Sequence, residues 1–266
     1  MSQDTGKFRE GLKDQFYTNN TIAQNCITII KNNCIHFDTF QWVEPSAGNG
    51  SFSSLVKDSI AIDIDPKKND IIMMDFLEWY PETDKQIIIY GNPPFGRQSS
   101  LAKAFIKHAS KFATTIAFIL PRSFTKPSMS NVFPSKFHCI HTSDIPKNAF
   151  EINNKSHDVP CIFQIWEKRN IDREKTLKVK EYGFTYVKFS DSYDVAFRRV
   201  GGLAGKCYKV NSGVFSPQSH YFLKFDNINV DSIMNKINLH IFPSNTVGPR
   251  SLSKSEVNEV INNIII

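Results

Sequence analysis

The chain has 266 residues, enough to bury a full core, and its 41% hydrophobic and 22% charged residues are ordinary for a globular protein. A net charge of +6 favours a polyanionic partner, and no apolar run approaches the roughly 20 residues of a membrane helix. Five scattered cysteines (Cys26, Cys34, Cys139, Cys161, Cys207) form no CxxC pair or His/Cys cluster, so reduced thiols and no metal are expected. The polar N-terminus carries no apolar signal region, and an intracellular, soluble protein, cytoplasmic or viral in a host cell, is expected.

In chain order, apolar spacing predicts a helix over 21–33, capped by Asn20 or Thr21. A strand at 41–44 leads into a Gly-containing turn, and a helix is expected to open at 52–57. Further strands are predicted at 59–63, 69–73 and 86–90, then a helix at 101–112 and a strand at 115–120 stopped by Pro121. Near-continuous apolar strands alternating with helices indicate an α/β fold with a mostly parallel sheet covered on both faces. The segment 121–134 reads as a loop. Strands at 136–141 and 159–166, with a turn-rich 153–158 between them, predict a terminal antiparallel hairpin. Beyond Lys168 the pattern turns β-like at 182–189, 195–200 and 221–225, with a helix at 230–239 and an apolar tail at 257–266 that docks or pairs. This divides the chain into a catalytic domain, 1–170, and a small β-rich C-terminal region, 171–266.

Chemistry centres on Asn92-Pro93-Pro94-Phe95, at the end of an apolar run. An Asn followed by two prolines gives a stiff, φ-restricted turn. It presents an amide, a carbonyl without a ladder partner and an aromatic face, suited to a planar group bearing NH2. Upstream, Glu44-Pro-Ser-Ala-Gly-Asn-Gly-Ser-Phe52 follows a strand, and Gly48 and Gly50 remove side chains where a ligand would approach the backbone. It is neither a G-x-G-x-x-G fingerprint nor a GK[ST] phosphate loop. Asp63 ends the next strand, Asp65 before Pro66 reads as a turn acid, and Asp75-Phe76 follows the third strand.

As an ordered set, with Asp14-Gln-Phe-Tyr-Thr18 and Ala61-Ile-Asp-Ile-Asp-Pro66, these segments resemble the N6-adenine amino-methyltransferases whose cofactor motifs precede the catalytic tetrapeptide. The resemblance runs to about Thr125. It implies a Rossmann-like methyltransferase sheet and S-adenosylmethionine as cofactor. Phe16, Tyr17 and Thr18 would fold over the methionine end, although Asn19 stands where the family usually has Pro. Glu44, Pro45, Ala47, Gly48, Gly50 and Phe52 would form the cofactor turn, with Asn92 beside it. Asp63 would accept from the ribose hydroxyls and Asp75 from the adenine amino group, with Phe76 packed on that ring. Phe95 and, by a looser match, Phe150 would stack on the target base.

The expected mechanism is polarisation, not general base catalysis. The Asn92 side-chain oxygen and the Pro93 carbonyl would accept the two N–H bonds of adenine N6 and draw its lone pair out of the ring. Nucleic acid is the expected partner, DNA before RNA, and eight basic residues from Arg97 to Lys147 face the single acid Asp144 in that stretch. Interleaved basic and aromatic residues in the C-terminal third, including Arg198-Arg199, suit backbone tracking and base stacking, and equally an ordinary small β domain; the resemblance implies target recognition there. The rivals are an RNA adenine-N6 enzyme, a protein-glutamine methyltransferase and a non-catalytic nucleic-acid-binding subunit.

Overall fold

The apolar runs become strands of one sheet. The computed structural model describes residues 16–152, 155–174, 179–226, 229–243 and 249–266, which fall into two units, within Lys7–Lys175 and within Thr176–Ile266. The first unit comprises β1 (Tyr17–Thr18), α1 (Asn20–Asn33), β2 (Gln41–Glu44), β3 (Ile60–Asp63), β4 (Ile72–Met73), β5 (Ile87–Gly91) and α2 (Ser100–Ala109). It continues with β6 (Thr115–Pro121), α3 (Pro127–Ser130), β7 (Phe137–Asp144), β8 (Phe150–Ile152), β9 (Lys155–His157) and β10 (Cys161–Lys168).

Seven strands form a sheet in the order β4-β3-β2-β5-β6-β10-β7. Strands β4 to β6 are mutually parallel, whereas β10 runs antiparallel to both β6 and β7. This is the Rossmann-like, mostly parallel sheet expected from the sequence, with its closing antiparallel hairpin. The strand order reverses between β2 and β5, so their carboxyl ends open onto the crevice where α/β sheets bind ligands.

Every residue of β5 and of β6 is buried, and their side chains alternate between two cores. Ile87 and Ile89 pack with Phe105 and Ile106 of α2 on one face. Ile88 and Tyr90 pack with Ala23, Cys26, Ile27 and Ile30 of α1 on the other. Removing a buried Ile side chain from such a strand costs about 2–5 kcal/mol. The Asn19 side chain, one residue earlier than expected, caps α1 by accepting from the Thr21 N–H at 2.9 Å.

The helix expected at 52–57 is absent. Ser53–Leu55 makes a single 3-10 turn, and Asp58, in the left-handed region at φ 59°, returns the chain to β3. The short span leaves no length for a second turn. The segment 121–134 is more regular than expected: a 3-10 turn at Arg122–Thr125 precedes α3, which carries Pro in its first turn. A further three-stranded sheet, β1-β8-β9, brings the N-terminal segment to the hairpin at 150–157, pairing Thr18 with Phe150. Asn153 and Asn154, part of the stretch read as turn-rich, lie outside the described residues, as do Asp14 and Gln15.

The second unit holds β11 (Phe184–Val187), β12 (Val195–Arg198), β13 (Cys207–Lys209), β14 (His220–Phe225), α4 (Val230–Leu239) and α5 (Lys254–Ile265). Its four strands form an antiparallel sheet in the order β11-β14-β12-β13. The tail expected to dock or pair is α5. Ser253 and Glu256 close its first turn in a capping box, and Val257 and Ile261 bury one face. No described helix is long and apolar enough to cross a membrane.

Candidate active site

The site lies at the carboxyl ends of β2, β3 and β5. Strand β5 ends at Gly91 with φ 121°, and a Cβ there would stand 3.2 Å from Glu44 Cγ. Glycine thus lets the buried Glu44 side chain cross directly beneath the start of the tetrapeptide. The Asn92 carbonyl accepts from Ser46 Oγ at 2.9 Å, tying the turn to the glycine segment. Asn92 Nδ2 donates to the Phe16 carbonyl at 3.3 Å and to Thr18 Oγ1 at 3.2 Å. A carbonyl can only accept, so this contact fixes the amide orientation. Asn92 Oδ1 is left buried with no hydrogen-bond partner. A buried oxygen in that state costs about 1–3 kcal/mol until an N–H reaches it. The Pro93 carbonyl also has no partner among the described residues.

Phe95 is half-buried and packs against both cores, and its carbonyl accepts from the Leu101 N–H at 3.1 Å where α2 begins. Between them Gly96, Gln98 and Ser99 all have positive φ, at 67°, 53° and 58°. Two non-glycine residues held there cost on the order of 1–3 kcal/mol each, strain of a kind that gathers at ligand sites. Nothing in the composition of Gly96-Arg-Gln-Ser99 announced it.

The glycine turn is stitched to β3. Asp63 Oδ2 accepts from the Gly48 N–H and Oδ1 from the Asp65 N–H, each at 2.7 Å. Each carboxylate oxygen keeps a further acceptor position. Gly48 has φ 52°, and a Cβ there would sit 3.0 Å from the Tyr17 ring, so the ring lies against bare backbone. Gly50, at φ 75°, is approached as closely by Lys68 Nζ. Pro45 and Ala47 are buried beneath the turn, and Phe52 is buried edge-on to Tyr90.

Glu44 is 2% exposed and accepts from the Ser53 N–H at 2.8 Å. Burial pushes its carboxyl up from 4.5 to about 8, opposed by the Ser53 hydrogen bonds and reinforced by the nearby Asp63 charge. It lies behind the turn, where burial favours its protonated form. Asp75 caps the 3-10 turn Phe76–Glu78, with Oδ1 accepting from the Leu77 N–H at 2.8 Å and Oδ2 uncommitted among the described residues.

Two aromatic expectations are corrected. Phe76 is 1% exposed, its ring packed among Trp79, Phe105 and His108, so it offers no face to an adenine ring. Phe150 is also 1% exposed and meets Phe16 edge-on at 6.3 Å, so it is a core residue and not a stacking platform for a base. Both rings were absorbed by packing that local sequence does not reveal. Phe16 and Thr18 reach Asn92 and Tyr17 lies against Gly48, in the segment that the pairing of β1 with β8 positions. Of the basic residues downstream, Arg122 is paired with Asp144 at 2.6 Å. Among the described residues no group of His, Cys, Asp and Glu could hold a metal ion.

No protein-family model and no curated protein matches the sequence. Similar solved structures include a provisionally assigned RNA methyltransferase from Pyrococcus horikoshii, at 18% identity and TM-score 0.45, covering 62% of this chain and 92% of that one. A Thermoplasma acidophilum protein matches at 18% identity and TM-score 0.43 over 61% of this chain and 94% of that one. The 23S rRNA methyltransferase ErmE matches at 14% identity and TM-score 0.42 over 59% and 70%.

Proposed function

We propose that this chain is an S-adenosylmethionine-dependent methyltransferase acting on the N6 amino group of adenine in nucleic acid. The observation that carries the reading is the buried, unpartnered Asn92 Oδ1, beside a Pro93 carbonyl that also lacks a partner among the described residues. Two acceptors on one rigid turn match the two N–H bonds of an aromatic amine. Accepting both would pull the nitrogen toward tetrahedral geometry and turn its lone pair out of the ring. Asn92 Nδ2, held by Phe16 and Thr18, fixes the oxygen in place and needs no rearrangement during the reaction. Phe95 is the aromatic residue of the turn left half-buried, and we assign it the contact with the target base.

The residues present fit the cofactor. Gly48 and Gly50 leave backbone bare beneath the Tyr17 ring and the Lys68 ammonium, and Thr18 is held at Asn92 beside them. Asp63 has acceptor positions left for ribose hydroxyls, and Asp75 Oδ2 for an adenine amino group. Phe76 contributes by packing the Asp75 turn, and Glu44 by supporting the Gly91 crossing. When bound, S-adenosylmethionine supplies an electrophilic methyl group on a sulfonium.

DNA is the polymer implied by the sequence resemblance, and the test reads RNA beside it. Purified protein with labelled S-adenosylmethionine is offered duplex DNA, single-stranded DNA, structured RNA and a release factor, and the products are digested. N6-methyladenine, as the deoxynucleoside or the ribonucleoside, is the expected product. Label confined to the protein substrate would overturn the reading, as would full transfer by Asn92→Ala.

A further inference from the structure

The antiparallel sheet of the second unit has two unlike faces. On one, Phe184, Val195, Phe197, Leu223 and Phe225 pack beneath Ile233 and Ile237 of α4 and Val257 and Ile261 of α5. On the other, Ala196, Phe215 and Phe222 form a small cluster to which neither helix contributes, with Val187, Tyr193 and Tyr208 half-buried around it. Phe189 is 49% exposed and lies 5.1 Å from Phe222, while Tyr193 lies 4.8 Å from the same ring. Neither the Tyr193 nor the Tyr208 hydroxyl has a hydrogen-bond partner among the described residues.

The charge around these rings is predominantly positive. Between Lys188 and Phe225 stand Lys188, Arg198, Arg199, Lys206, Lys209 and Lys224, against Asp191 and Asp194. Both acids accept from backbone, Asp191 from the Lys188 N–H and Asp194 from the Phe225 N–H. Lys209 is paired with Asp231, and Lys206 donates to the Asn238 carbonyl. Arg198 and Arg199 donate to carbonyls and a hydroxyl in neighbouring loops. Lys188 and Lys224 are exposed, with ammonium groups in no ion pair among the described residues. Lys224 follows Phe222 by two residues on β14 and so shares its face. Lys188 borders a cleft of about 300 Å³ with Val187, Phe189, His220 and Phe222.

We propose that this open sheet face binds single-stranded nucleic acid. Phe189, Tyr193 and Tyr208 stack on unpaired bases, and Lys188 and Lys224 take backbone phosphates. An exposed ring flanked by two half-buried ones suits bases freed from a duplex, since paired bases offer no face to them. Basic residues outnumber acids around these rings, even with the exposed Asp226 just beyond Lys224, which favours a polyanion over an apolar protein surface. The proposal rests on the reading of the substrate as nucleic acid, and it places the grip on the strand outside the catalytic unit.

The test is a titration of the full chain, without cofactor, into labelled single-stranded DNA, single-stranded RNA and duplex DNA of mixed sequence at low and moderate salt. Single strands are expected to bind more tightly than duplex. Phe189→Ala and Tyr208→Ala should each weaken binding roughly tenfold. Lys224→Glu, at an exposed position, should weaken binding about threefold or more and lower its salt dependence. Comparing DNA with RNA identifies the polymer. Wild-type-like binding by all three variants overturns the proposal even if methyl transfer is observed. Loss of binding in the variants of a protein that transfers no methyl group upholds it while overturning the catalytic reading. Self-association that Phe189→Ala abolishes, with no oligonucleotide binding, shows that the face joins two copies of the chain and also overturns it.

Discussion

The two sheets of this chain solve opposite problems. The parallel sheet of the first unit is buried on both faces, by α1 on one and α2 on the other, so its polar groups gather at the strand ends. The antiparallel sheet of the second unit is covered by helices on one face only, and a small aromatic cluster with basic neighbours lies on the other. A site at strand ends is small and rigid and can grip one functional group. A site on an open face is broad and suits a polymer. Substitutions in the first sheet should therefore have large effects on chemistry and stability, whereas those on the open face should change binding with little effect on the fold.

The largest expected effect sharpens the first half of that contrast. Glu44 ionises near 4.5 when exposed and near 8 in the folded chain, so between those values the folded state holds a proton that the unfolded state has released. Stability therefore falls as pH rises through that window, by up to about 5 kcal/mol for this group. Denaturant midpoints at pH 5 and pH 8 should differ more in the wild type than in Glu44→Gln. An equal pH slope in both would show that Glu44 is solvated. Next, Asn92→Ala should lower the rate of methyl transfer about 100- to 1000-fold, the scale of losing one preorganised polar group. Its affinity for S-adenosylmethionine should stay within about threefold, since the buried Oδ1 is assigned to the substrate. A fall in affinity that matched the fall in rate would move Asn92 to the cofactor. Smaller again is Asp75→Asn, which offers an N–H donor where the cofactor's amino group also donates. About a tenfold loss of affinity is expected by calorimetry.

The contrast also explains what could be read from the chain beforehand. Ile87-Ile-Ile-Tyr90 and Thr115–Pro121 are buried on both sides, and such uninterrupted apolar runs announce themselves. The helix at Val230–Leu239 was legible residue for residue from its spacing. Strands β1, β8 and β9, of two or three residues, carry no periodicity and form only because the tertiary structure pairs them. Helix α5 had a readable signal in Ser253-x-x-Glu256, overlooked beside the apolar ending. Within the site, Asn92, Gly48, Gly50, Asp63 and Asp75 stand out by their order along the chain, since each alone is an ordinary turn or strand-end residue. Phe76 and Phe150 were misread because an aromatic ring suits a core as well as it suits a ligand. The unpartnered Asn92 Oδ1 could not be foreseen, since it depends on Phe16 and Thr18 reaching the amide from far along the chain.

The smallest expected effect is the one that can break the comparison. Phe189→Ala removes a ring that is 49% exposed, and its unfolding free energy should stay within about 0.5 kcal/mol of wild type. A buried ring in the parallel sheet, such as Phe118, should cost about 3–5 kcal/mol on the same change. The two values are read from urea midpoints at constant slope. If Phe189→Ala proved as costly as a core substitution, the cluster around Phe222 would be a second core and the face would not be open. A small stability cost with a large loss of single-strand affinity is the pattern that only a binding surface produces, because a residue retained for packing cannot be lost so cheaply.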